Sequence, residues 1–120
     1  MKTDKKEGTL SEKISVNQRD YCLPDRPVAV ICADGCAGEY LTLGFAHGEL
    51  PRLAKLAADG YCGQARGALP SFTNVNNCAM VTGTPPSQTG IGGNYIIDPE
   101  TGEEVMTNSS RFLRNDTILA

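Results

Sequence analysis

Asp34, Thr73 and Asn94 are the residues whose types and settings suit chemistry on an anionic group. Asp34 follows the apolar run Val28-Ala29-Val30-Ile31-Cys32 and precedes Gly35. A carboxylate just past a buried strand faces a cleft and suits a metal ion, although Asp-Gly is equally a common turn. Thr73 follows Pro70-Ser71-Phe72 and opens an Asn-rich stretch with helical spacing. A threonine there caps the helix. Its hydroxyl also becomes a nucleophile where a metal ion stabilises the alkoxide, and the free N–H groups of a helix start bind a phosphoryl oxygen. Both readings of Thr73 stand at this level.

Asn94 closes Gly90-Ile91-Gly92-Gly93-Asn94. It either donates an amide hydrogen bond to an anionic oxygen or finishes a turn. The segment does not complete Gly-x-Gly-x-x-Gly and no strand leads into it, so a dinucleotide loop is not supported. His47 is the sole histidine. A zinc site takes three or four protein ligands, and with no second histidine His47 is not assigned as one.

The elements that must position these residues read as follows. Val28 to Cys32 is short, β-branched and apolar at both parities, which predicts a strand buried on both faces. Asp34 would then sit outside the carboxyl end of that strand, where α/β sheets bind ligands. Pro51 starts a helix carrying Leu53, Leu56 and Ala57, with Gly60 as its stop. Tyr61 to Ala65 is expected as a second short strand. Thr73 to Thr82 is expected as a helix with Val75, Ala79 and Met80 on one side, ending at Gly83. Turn residues crowd the chain from Thr84 to Thr107. There Tyr95-Ile96-Ile97 pairs with Glu104-Val105-Met106 in a hairpin across Asp98 to Gly102. Residues 1–15 are polar and expected to be flexible; residues 16–120 form the ordered part. Strand, helix, strand, helix in this order is an α/β pattern.

Composition narrows the function. The chain has 120 residues and a net charge of -3, with basic residues scattered. Duplex binding needs a basic stripe that releases counterions, so nucleic acid is not an expected partner. No apolar run reaches the roughly 18 residues that span a bilayer, and the lysine-rich start has no apolar segment behind it. The five cysteines are odd in number and lack a Cys-x-x-Cys pair. They read as reduced thiols of a cytoplasmic protein. Asn-x-Ser/Thr triplets at Asn108 and Asn115 then carry no glycan.

Longer segments carry a resemblance. Pro27 to Cys36 resembles the first strand of alkaline phosphatase superfamily enzymes, with the metal-binding aspartate at its end. Leu69-Pro70-Ser71-Phe72-Thr73-Asn74-Val75-Asn76-Asn77 resembles the nucleophile segment of the phosphonoacetate hydrolase family. Val81 to Pro86, Gly90 to Tyr95, Asp98 to Gly102 and Phe112-Leu113-Arg114 with Thr117-Ile118-Leu119 continue the likeness, which runs from about Val16 onward. Relatives often carry histidine where this chain has Thr89.

The resemblance implies a fold, a partial three-layer α/β/α sandwich of the alkaline phosphatase-like kind, and a reaction. Two zinc ions are implied, one of them ligated by Asp34 and Thr73. Thr73 would attack the phosphorus of phosphonoacetate to give a phosphothreonine and acetate, and Asn94 would contact the substrate. The family enzyme is longer, so the chain is expected to be its N-terminal part, inactive alone, with the remaining zinc ligands and the substrate-neutralising lysines beyond Leu119. A homodimer is compatible with the family. Two other readings compete. One is a phosphodiesterase, nucleotide pyrophosphatase or phosphomonoesterase of the same superfamily. The other is a non-catalytic α/β binding module in which Asp34 is a turn residue and Thr73 a cap.

Overall fold

The computed structural model describes residues 12–119. Its elements in chain order are β1 (Lys13–Val16), β2 (Arg19–Cys22), α1 (Gly38–Ala46), α2 (Pro51–Asp59), α3 (Thr73–Thr82), α4 (Pro86–Thr89), β3 (Tyr95–Ile97), β4 (Glu104–Met106) and a single 3₁₀ turn (Ser110–Phe112). By internal contact they fall into two units, residues 12–30 with 68–119, and residues 31–67.

In the first unit β1 and β2 pair antiparallel, Lys13 opposite Cys22 and Val16 opposite Arg19. Asn17 and Gln18 make the turn between them, both with positive φ, 51° and 62°. That is the geometry of a two-residue hairpin loop whose twist matches the strands, and asparagine tolerates it better than most residues. The Asn17 side chain then anchors the hairpin. Its Nδ2 donates to Thr82 O (2.9 Å) and Asp116 O (2.7 Å), and its Oδ1 accepts from Asn115 Nδ2 and Asp116 N, both at 3.2 Å. Residues 1–11 of the expected flexible segment lie outside the described residues, whereas Lys13 to Ser15 belong to β1.

Helix α3 runs over the residues expected for it and stops at Gly83, whose φ is 65°. Only glycine enters that region at no steric cost, and a Cβ there would also strike the Tyr21 hydroxyl. The last carbonyls of a helix lack intrahelical partners. Here Ile118 N donates to Val81 O (2.7 Å) and Asn17 Nδ2 to Thr82 O. Val75 is fully buried, as is Ile91, but Met80, expected on the same side, is exposed. The core is otherwise polar: Thr82, Thr84, Thr89, Asp98 and Thr107 are all buried. Thr82 Oγ1 bonds Cys78 O and Thr84 Oγ1, and Thr89 Oγ1 accepts from Ile91 N, so these hydroxyls are satisfied locally.

The β3–β4 hairpin forms in the expected register, Tyr95 opposite Met106 and Ile97 opposite Glu104. Asp98 holds its turn. The carboxylate accepts from Glu100 N (3.0 Å) and pairs with Arg111, whose guanidinium lies 4.3 Å from the centroid of the Phe112 ring. The backbone bond from Glu100, then the bond and charge of Arg111, hold the carboxyl below the usual aspartate range against the opposing effect of burial.

In the second unit α1 turns at His47-Gly48 into α2, which starts on Pro51 and ends at Gly60. Glu49 N and Leu50 N both donate to Gly44 O. A Cβ on Gly44 would lie 2.7 Å from Leu50 Cγ, so any larger residue there would displace the Leu50 side chain. Helix α1 was not foreseen; α2 was.

The two strands expected of a parallel sheet are not formed. Val28 to Cys32 and Tyr61 to Ala65 lie outside any strand. Val28, Val30 and Ile31 are 71%, 78% and 90% exposed. A strand buried on both faces needs neighbours for its N–H and C=O groups, and the described sheets are only the two hairpins. No helix among the described residues is long and apolar enough to cross a membrane.

The Asp98 environment makes a pH prediction. Its folded pKa is depressed, so its contribution is present above the unfolded value of about 3.9 and lost as pH falls through the folded pKa. Urea midpoints should therefore fall below about pH 4 in the parent chain, and Asp98→Asn should lower the midpoint at pH 7 while flattening this acid limb. A carboxyl titration by NMR placing Asp98 above 3.9 contradicts this.

Candidate active site

Phe72 precedes α3 in an extended conformation (φ -120°, ψ 158°), which makes Thr73 the first helical residue, as its position after Pro70-Ser71-Phe72 foretold. Thr73 is exposed, and no side chain at Phe72 caps the helix. The approach is fixed by Asn76, one turn into α3. Its Oδ1 accepts from Ala68 N (2.7 Å), and its Nδ2 donates to Phe72 O (3.0 Å) and Ser71 Oγ (3.2 Å). The Asn-rich composition thus folds residues 68–72 back against the helix they lead into.

Asn94 joins the same helix start. Its Oδ1 accepts from Asn74 N at 3.0 Å. It performs from another segment what an N-cap side chain usually does. This corrects one expectation: the N–H groups that open α3 are not all left for an anion, since that of Asn74 is taken. Thr73 and Asn94, two of the three expected site residues, therefore meet on the first turn of one helix. No charged residue occurs from Leu69 to Thr82. The positive end of the α3 dipole is accordingly unopposed by a local acid.

Asp34 lies in the second unit, exposed, in a turn closed by Cys36 N to Ala33 O (3.1 Å), with Gly35 at φ 73°. It leads into α1 and does not sit at the carboxyl end of a strand, because the run before it forms none. His47 ends α1, also exposed.

Beside α3, within the first unit, a cleft of about 320 Å³ is lined by Asn74, Asn77, Cys78, Ile91, Thr107 and Leu113, among others. Burial raises the Cys78 thiol pKa. The burial that raises it favours the protonated thiol. Thr107, buried and bonded to both Asn74 and Gly93, is a residue that sequence reading passed over. It follows β4 with no periodic or motif signal.

A zinc ion needs three or four protein ligands. Asp34 and Thr73 are oxygen donors of a suitable kind, but the described residues gather no group of three or more His, Cys, Asp and Glu side chains. The donor set falls short of a complete zinc centre.

The family model for type I phosphodiesterase / nucleotide pyrophosphatase matches residues 28–120, and the chain belongs to that family. Its solved relatives include the phosphonoacetate hydrolase of Sinorhizobium meliloti 1021, determined in complex with phosphonoformate and in complex with phosphonoacetate. Both structures are 42% identical to this chain, with TM-scores of 0.80 and 0.81. The match covers 90% of this chain and 26% of that one. The mixture of helices and strands described above thus matches part of the alkaline phosphatase-like fold of a phosphonoacetate hydrolase.

The capping role of Asn94 is separable from its amide. Asn94→Asp keeps an acceptor for Asn74 N–H beside the positive helix end and should change stability by less than about 0.5 kcal/mol. Asn94→Leu removes the acceptor and should cost about 1 kcal/mol. Equal urea midpoints for the two variants would show that the bond does not cap α3.

Proposed function

We propose that this chain is the N-terminal part of a cytoplasmic phosphonate hydrolase that cleaves the carbon–phosphorus bond of phosphonoacetate, giving acetate and phosphate. The observation that carries the reading is the 42% identity over 90% of the chain to a phosphonoacetate hydrolase. It is supported by Thr73 opening a helix whose first turn also holds Asn94.

In this reading Thr73 is the nucleophile. Its Oγ gives up its proton to solvent and forms a bond to phosphorus as the phosphorus–carbon bond breaks, and the electron pair leaves with the CH₂COO⁻ group, which takes one proton from solvent to become acetate. Water then attacks the phosphothreonine, releasing phosphate and restoring the hydroxyl. Thr73 is exposed at the first position of α3, whose first turn carries no acidic residue, and the helix dipole there favours an approaching anion. Asn94, with Oδ1 engaged by the helix, has its NH₂ group to offer a phosphoryl oxygen.

Asp34 and Thr73 would contribute to one of two zinc ions. The partial donor set leaves the remaining ligands to residues outside those described. Bound zinc would supply Lewis acidity that stabilises the threonine alkoxide. The exposed run from Val28 to Ile31 supports a longer protein, since apolar patches of this kind are ordinarily covered.

The test is phosphate release from phosphonoacetate by the longer enzyme that carries this chain. Thr73→Ala should lower kcat by at least about 10³-fold, whereas Thr73→Ser should retain measurable turnover, because the hydroxyl reacts and the methyl only restricts its rotamer. Near-normal turnover by Thr73→Ala would remove the assignment. A substrate panel in which nucleotide diesters are cleaved and phosphonoacetate is not would favour the phosphodiesterase branch.

A further inference from the structure

Thr107 is 4% exposed, follows directly on β4, and touches two segments at once. Its N–H donates to Asn94 O at 2.9 Å. Its Oγ1 donates to Gly93 O (2.7 Å), with Asn94 O at 3.2 Å sharing the same hydrogen, and accepts from Asn74 Nδ2 at 3.0 Å. A threonine hydroxyl has one hydrogen to give and two lone pairs to receive with. Here the hydrogen goes to the loop and a lone pair to the helix.

These bonds close a ring. Asn74 N–H donates to the Asn94 side chain, the Asn94 main chain accepts from Thr107 N, and the Thr107 hydroxyl accepts from the Asn74 side chain. Three residues from three segments thereby fix one another. The ring also decides which way the Asn94 amide faces. A backbone N–H must meet an acceptor, so Oδ1 is the atom on α3 and the NH₂ group faces away from that bond. That orientation rests on the Asn74 N–H bond, and Thr107 holds the Asn94 main chain where its side chain can accept it.

We infer that Thr107 is a positioning residue: its buried hydroxyl sets the Gly93–Asn94 loop in register with the first turn of α3, so that Asn94 and Thr73 address one phosphoryl group. This rests on the proposed phosphonate hydrolase reading. Thr107 has no contact with substrate in this account and acts only through Asn94 and Asn74. Misplacement of a contacting group by about 1 Å costs about 100-fold in rate. That is the scale expected here.

The experiment uses the longer enzyme with Thr107→Val, Thr107→Ser and Asn74→Ala, assayed with phosphonoacetate well below each melting temperature. Valine keeps the shape and removes the hydroxyl; serine keeps the hydroxyl. Thr107→Val should lower kcat about 100-fold, Thr107→Ser should stay within about threefold of the parent, and Asn74→Ala should lose about tenfold, having one arm of the ring removed. A lowered melting temperature with parental kcat in Thr107→Val would reduce the residue to a structural role and overturn the inference. Should Thr107→Val fail to fold, parental kcat in Asn74→Ala overturns it instead. Amide exchange at Asn74 keeps the two readings apart. If the parent does not hydrolyse phosphonoacetate the proposed function fails. The ring is then still judged by whether exchange at the Asn74 amide in Thr107→Val, or at the Thr107 amide in Asn74→Ala, speeds at least tenfold, and unchanged exchange in the folded variants overturns it.

Discussion

A helix begins with backbone N–H groups that its own carbonyls cannot reach, and at α3 the one on Asn74 is met by the side chain of Asn94. The candidate site depends on that bond. It places a glycine-rich loop, otherwise free to adopt many conformations, against the second residue of the helix, next to Thr73. The neighbouring asparagines serve the same end, with Asn76 folding residues 68–72 onto the helix and Asn74 reaching Thr107. An amide can donate and accept at once, and Asn74, Asn76 and Asn94 around a helix start give a polar site whose parts are held without any formal charge. With no charged residue from Leu69 to Thr82, the segment itself does not oppose the positive end of the helix dipole, which favours an anion.

Farther from that turn, stability rests on polar anchors more than on apolar bulk. Among the described residues Val75 and Ile91 are the buried apolar ones, while Thr82, Thr84, Thr89, Thr107 and Asp98 are the buried polar ones. Asn17 ties the β1–β2 hairpin to the end of α3 from 65 residues away in sequence, and Asp98 ties the β3–β4 turn to Arg111. Buried polar groups of this sort stabilise only when each finds a partner, and most here do. The apolar residues Val28, Val30 and Ile31 take no part in that interior.

What could be read in the sequence was what is decided locally. Helix α3 carries its start after Phe72 and its stop at Gly83, and the β3–β4 hairpin carries its turn residues from Asp98 to Gly102, so both were legible. The β1–β2 hairpin was not, because Asn17-Gln18 lacks the usual glycine and its strands are largely polar. Helix α1 has no capping side chain at Ala37 and an internal Gly44, so its start went unmarked. The opposite error occurred at Val28 to Cys32. Its composition is that of a buried strand, but strand formation requires distant partners, which composition does not supply. The same holds at the candidate site. Thr73 and Asn94 are proposed from local pattern and family likeness, whereas Thr107 is defined by three-dimensional bonding alone.

The chemical claim underneath the account is that the Thr73 hydroxyl becomes covalently bound to phosphorus. The most direct measurement is an acid quench of the longer enzyme during its first turnovers of phosphonoacetate, followed by peptide mass spectrometry. The account predicts one added phosphoryl group on the peptide containing Thr73, localised to that residue and absent from Thr73→Ala. A phosphoryl group on a different residue, or a burst of acetate with the Thr73 peptide unmodified, would contradict it.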